Sequence, residues 1–178
     1  MKTFEIRYGA VGGQGIITAG TLLADIAVEK ENRHALESPT YTAAVRGGPT
    51  KVDIIISEEP ILFPHATAID FFLCTDQRPY DLYKDRLKED AIVVLDSHLV
   101  RELGDTRRWK VYQAPIINET KKQVGNIVLT SVVSLAITQK LTGIIQHENM
   151  VEYIKHWAPK NALEMNLKAI EVGRSLVS

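Results

Sequence analysis

A chain of 178 residues is long enough for one domain with a sizeable core, and 45% hydrophobic against 24% charged residues is ordinary globular composition. A formal net charge of −1 with no strongly basic face argues against nucleic-acid binding. The single cysteine, Cys74, rules out a disulfide framework, a zinc site or a four-cysteine iron–sulfur cluster built by this chain alone.

Residues 4–8 read as a first strand, and residues 16–30 as a helix whose Ile16, Ala19, Leu23, Ile26 and Ala27 recur at helical spacing. Residues 33–37 are predicted as a second strand, followed by a Pro-, Gly- and Thr-rich loop over 38–49. Residues 50–57 alternate, with Val52, Ile54 and Ile56 on one face and Lys51 and Asp53 on a wet one, which predicts a mixed sheet. The apolar run 69–75 reads as a central buried strand, with Cys74 as a small buried hydrophobe. A short helix is expected over 79–87, near Pro79 at its start, then strands over 91–95 and 110–113. Helical patterns follow over 119–124, 127–140, 148–156 and 160–176, broken at Gly143 and Pro159. The expected fold is a three-layer α/β/α domain spanning 1–178, with a mixed, mostly parallel sheet and a helical C-terminal third. The first two strands are expected to be parallel neighbours joined by the first helix.

Residues 127–137, the most apolar stretch, fall short of the ~20 residues of a membrane span, and residues 1–8 lack a signal-peptide core. A reducing, cytoplasmic setting without a membrane partner is the expectation.

Between the first strand and the first helix stand Gly12, Gly13, Gln14 and Gly15. Glycines at such a junction let the chain turn sharply and let a second surface approach its N–H groups. The Walker spacing fails, because Gln14 stands five residues after Gly9 and no lysine follows. The dinucleotide spacing fails too, because Thr18 stands where the third glycine belongs. Glu37 is nevertheless near the place of a ribose-binding acid. Tight packing of strand on helix is the alternative role for these glycines.

Further along come Pro39-Thr40-Tyr41, Arg46-Gly47-Gly48, then Ser57-Glu58-Glu59-Pro60-Ile61 with Pro64, Asp70 opening Phe71-Phe72-Leu73, and Gly125-Asn126 before an apolar helix. Taken in order with the first turn, this set resembles the γ subunit of the 2-oxoacid:ferredoxin (acceptor) oxidoreductases, over most of the chain. Ala10 departs from the family's first turn glycine, and Thr42, Ala43 and Ala44 replace its glycine–acid region. The resemblance implies a subunit of a complex that oxidatively decarboxylates a 2-oxoacid with coenzyme A. The products are acyl-CoA, carbon dioxide and a reduced ferredoxin or similar acceptor. Thiamine diphosphate and iron–sulfur clusters are then carried by partner subunits, with no cofactor held and no catalytic residue supplied by this chain alone. Val45, where the pyruvate branch tends to carry a second arginine, points to the 2-oxoglutarate branch, with pyruvate and branched-chain oxoacids as alternatives.

Gly12, Gly13, Gln14, Gly15, Tyr41, Arg46, Gly47, Gly48 and Asn126 form the candidate ligand- or partner-binding set. Arg46 offers a planar fork suited to phosphate or carboxylate. Gln14 can bridge to a ligand or cap the helix, and Tyr41 can stack there or sit buried. Asn126 reads most simply as an N-cap, and Asp96 as a ligand group or a turn former. The five histidines show no metal-ligand spacing. A free-standing nucleotide-binding protein and a structural assembly module are the competing functions. Residues 12–15 and 41–48 are expected to meet at one edge of the sheet.

Overall fold

The structure, a computed structural model, describes residues 3–12, 14–40 and 47–178. In chain order these form β1 (Thr3–Val11), α1 (Ile16–Glu29), β2 (His34–Thr40), β3 (Pro49–Ser57), β4 (Ile69–Cys74), α2 (Gln77–Tyr83), β5 (Leu87–Asp96) and β6 (Lys110–Ala114). The helices α3 (Ile116–Glu119), α4 (Thr130–Thr142), α5 (His147–Trp157) and α6 (Leu163–Ser175) make up the C-terminal third. No described helix is long and apolar enough to cross a membrane.

The sheet is mixed, in the order β2-β3-β1-β4-β5-β6. β1 pairs in parallel with β4, β4 with β5 and β5 with β6, while β3 runs antiparallel to both β1 and β2. The expectation that the first two strands are neighbours is therefore corrected: β3 lies between them. The physical reason is in the strands themselves. β3 is buried over most of its length, whereas β2 is half-exposed and carries Pro39, which cannot donate to a ladder. A strand of that kind belongs at an edge.

One sheet face, carrying Ile6, Tyr8, Ile54, Phe71 and Val94, packs against α1, α4, α5 and α6. The stripe predicted on α1 is the one that is buried. The opposite face, with Ile55, Phe72, Cys74, Val93 and Leu95, packs on Tyr80 of α2. Each apolar side chain taken fully out of water contributes about 1.5–3 kcal/mol of gross stabilisation. Cys74 is buried as expected, and burial pushes its thiol pKa up to about 12.

Several local readings are corrected. The helix expected over 79–87 is Gln77–Tyr83, started by Asp76, whose carboxylate accepts from the Arg78 N–H. Leu87 belongs to β5, which is longer than the predicted 91–95 because Arg86 and Asp90 take positive φ and bend the chain into register. The helix expected over 119–124 begins at Ile116 and continues as a π-helical turn over Thr120–Val124. Asp53 is not on a wet face. Arg7 donates to it through Nε (2.7 Å) and Nη2 (3.0 Å), and Lys51 Nζ lies 2.6 Å away. Burial alone would raise the Asp53 pKa, but the Arg7 hydrogen bonds and charge, joined by those of Lys51, hold it below the ordinary value. Arg7 also donates to the carbonyls of Tyr83 and Asp85, so this pair fastens α2 to the sheet.

A pocket built by the glycine turn

β1 ends at Val11, opposite Pro49 in the antiparallel ladder, so the residue leaving β1 and the residues entering β3 are forced together. The Gly12 N–H donates to the Gly48 carbonyl at 3.3 Å. Gly15 then starts α1 at φ +70°, and no side chain caps that helix. A Cβ on Gly15 would sit 2.5 Å from the Val128 carbonyl oxygen, so the segment after Gly125-Asn126 lies directly against the turn. Asn126 is the N-cap expected of it: its Oδ1 accepts from the Val128 N–H at 3.0 Å. Three of the segments that carried the family resemblance therefore converge. At the first of them is an open pocket of about 410 Å³ bordered by Val11, Gly12, Gln14, Gly15, Thr50 and Val128. Its volume falls in the range of small-molecule sites.

Gln14 is buried, and its Oε1 accepts from the Thr75 hydroxyl at 2.5 Å. Thr75 was not among the residues singled out from the sequence. The signal was there: it is the polar residue that closes the apolar strand Ile69–Cys74. Thr50 and Val128 were likewise unread as wall residues, because only the strand register and the α4 approach bring them in. Gly13, Tyr41 and Arg46 lie outside the described residues; of the predicted second loop, Gly47 and Gly48 are described and adjoin the turn.

Other sequence candidates lie elsewhere. Glu37 accepts from the Thr21 hydroxyl (3.0 Å), and burial pushes its pKa up, so it ties β2 to α1. Asp96 is buried and accepts from the N–H groups of His98, Leu99 and Ile117, which makes it the turn former. Ser57 pairs with Thr3 at the far end of the ladder. Asp70 accepts from the Glu5 N–H and from Lys88 Nζ at that same end. Among the described residues no group of three or more His, Cys, Asp or Glu side chains could hold a metal ion.

Fold and pocket together define an α/β domain with a glycine-built cleft just outside the carboxyl end of β1, the end of the strands at which open α/β sheets take ligands. The chain belongs to the pyruvate ferredoxin/flavodoxin oxidoreductase family, whose model matches residues 5–176. It is 34% identical over 174 residues to the 2-oxoglutarate synthase subunit KorC of Methanocaldococcus jannaschii, covering 95% of this chain and 91% of that one. It is also similar to the keto/oxoacid ferredoxin oxidoreductase gamma subunit from Geobacter sulfurreducens, with TM-score 0.89 and 31% identity over 99% of this chain and 97% of that one. The fold recurs in the 2-oxoglutarate:ferredoxin oxidoreductase from Magnetococcus marinus, with TM-score 0.83 and 22% identity, spanning 99% of this chain and 31% of that longer one.

Proposed function

We propose that this chain is the γ subunit of a multi-subunit 2-oxoacid:ferredoxin oxidoreductase of the 2-oxoglutarate type. The complex converts the oxoacid and coenzyme A to acyl-CoA and carbon dioxide, and passes electrons to ferredoxin or a similar acceptor. One observation carries the reading: Gly12, Gln14 and Gly15 border a pocket with Thr50 and Val128, Gly12 is bonded to Gly48, and the chain is related over nearly its whole length to a 2-oxoglutarate synthase subunit.

Within that complex the pocket edge faces the partner subunits and the approach of coenzyme A. Gly12, Gly13, Gln14 and Gly15 supply the close main-chain surface there. Arg46, with Tyr41, Gly47 and Gly48, supplies a charged contact to phosphate or carboxylate, and Asn126 fixes the third wall. Thiamine diphosphate supplies the carbanion chemistry and iron–sulfur clusters the electron path, both on partner chains. With one cysteine in 178 residues, buried and with its pKa raised, this chain does not offer the thiolates a four-cysteine cluster takes. The lone thiol suits the cytoplasm, and the chain acts as a single domain over 1–178. Engagement of Glu37 by Thr21 weighs against the free-standing nucleotide-binding alternative, since the carboxylate is already bonded away from the pocket.

The test is reconstitution with the thiamine-diphosphate and ferredoxin-like subunits, following coenzyme A-dependent reduction of methyl viologen with 2-oxoglutarate, pyruvate and 2-oxoisovalerate. The complex is expected to prefer 2-oxoglutarate, and the isolated chain to be inactive with all three. Activity from this polypeptide alone, or a preference for pyruvate, would overturn the assignment.

A further inference from the structure

Thr75 directly follows the carboxyl end of β4, fully buried, after a strand that is apolar except for Asp70. A hydroxyl placed there without a partner would be costly. Both of its donors are spent on the β1–α1 segment. The Thr75 N–H donates to the Gly9 carbonyl at 3.0 Å, and the hydroxyl donates to Gln14 Oε1 at 2.5 Å. Gln14 is only 8% exposed and borders the pocket beside Gly12 and Gly15.

A primary amide has an accepting end and a donating end on the same carbon. With the oxygen held from inside by Thr75, the orientation of the amide is chosen, and its N–H₂ end, which Thr75 does not use, belongs to a residue that borders the pocket. The pocket wall is otherwise mainly apolar, with Val11, Ile16 and Val128 among the residues that line it. In such surroundings a correctly turned donor discriminates strongly, because a wrongly turned one leaves two polar groups unpaired.

We propose that Thr75 is a positioning residue for the glycine-turn pocket: its hydroxyl fixes the Gln14 amide so that Nε2 donates to an acceptor oxygen of a small-molecule substrate. This rests on the reading of the chain as a subunit of a 2-oxoacid oxidoreductase. Coenzyme A and the oxoacid both carry such oxygens, and the kinetic arms of the test separate them.

The experiment compares wild type, Thr75→Val, Thr75→Ser, Gln14→Leu and the Thr75→Val/Gln14→Leu double variant in the reconstituted complex. Thr75→Val keeps the branched shape and removes the hydroxyl. It is expected to raise KM for one substrate about tenfold, the loss of one well-placed hydrogen bond, while kcat stays within about twofold. Thr75→Ser restores the wild-type KM. In the double variant the two KM effects do not add, because both report one contact. A rise confined to coenzyme A names that molecule as the source of the acceptor, and a rise confined to the oxoacid names the other. Unchanged kinetics in Thr75→Val, failure of Ser to rescue, or loss of subunit assembly in place of a KM change would each overturn the proposal. A wild-type complex unable to turn over any 2-oxoacid would overturn the functional reading and this inference with it. An active wild type with unmoved variants overturns the inference alone.

Discussion

Replacing Gly15 by alanine tests whether the turn and the segment before α4 are pressed together as the geometry requires. Gly15 has φ +70°, a conformation that costs an L-residue about 1–2 kcal/mol. Its added Cβ would also lie 2.5 Å from the Val128 carbonyl oxygen and 3.2 Å from Ser131 Cβ. Val128 cannot simply step aside. Its N–H is held by Asn126, and its carbonyl accepts the Ser131 hydroxyl at 2.9 Å. Overpacking of this kind adds about 1–3 kcal/mol, so Gly15→Ala should cost about 2–5 kcal/mol in all.

Gly143 supplies the control. It closes α4 at φ +61° with nothing within 4 Å of an added Cβ, so Gly143→Ala should lose only the ~1–2 kcal/mol of backbone strain. Urea unfolding of the two variants beside wild type measures the difference. The clash should also weaken assembly and substrate use in the complex, because it pushes the third wall away from the pocket. If Gly15→Ala is no more destabilising than Gly143→Ala, Val128 does not bear on the turn and the converging pocket is wrong.

Asp53→Asn should cost about 3–5 kcal/mol, because it leaves the Arg7 guanidinium buried without its carboxylate. Since Asp53 is held below its ordinary pKa, its contribution is fully present above about pH 4 and is lost as pH falls through the lowered folded value. The variant should therefore show a flatter acid limb in melts between pH 5 and 2, and an acid limb as steep as wild type would place the acid-labile group elsewhere. Arg46→Ala in the assembled enzyme should weaken coenzyme A use or subunit affinity by about ten- to a hundredfold, the worth of one charge-assisted hydrogen bond. The melting temperature of the isolated chain should stay put; unchanged kinetics and assembly would make Arg46 an ordinary surface residue, and a collapsed melting temperature a structural one.

How much of this was legible in the sequence depended on whether the information was local. The stripe of α1 and the alternation of Val52, Ile54 and Ile56 are period signals, and both survive in the fold. Asn126 announced itself as a cap by standing before an apolar helix. The position of β3 between β1 and β2 is set by pairing across more than forty residues, for example Phe4 with Ile56, which no local pattern reports. Asp53 looked solvated because alternation alone assigns a charged residue to water. Its partner Arg7 lies on another strand and was invisible until the register was known. Thr75 was missed for the same reason, its role depending on Gln14, which is sixty-one positions away.

The motifs that carried the resemblance do two different physical jobs, and the register of β1 with β3 separates them. One end of that ladder is Val11 opposite Pro49; the other is Thr3 opposite Ser57. At the first end Gly12 is bonded to Gly48 across the ladder, and the turn that follows, where Gly15 has no room for a Cβ against Val128, borders the pocket. At the second end the motif residues are ties. Asp70 fixes the Glu5 main chain and Lys88, and the Glu5 carboxylate accepts from the N–H groups of Thr67 and Ala68. A substitution at Asp70 should accordingly act through stability, whereas one at Gln14 should act through substrate. An antiparallel strand inserted beside β1 thus does more than extend the sheet: it carries Gly47 and Gly48 to the β1–α1 turn and, through Thr50, supplies a wall of the pocket there.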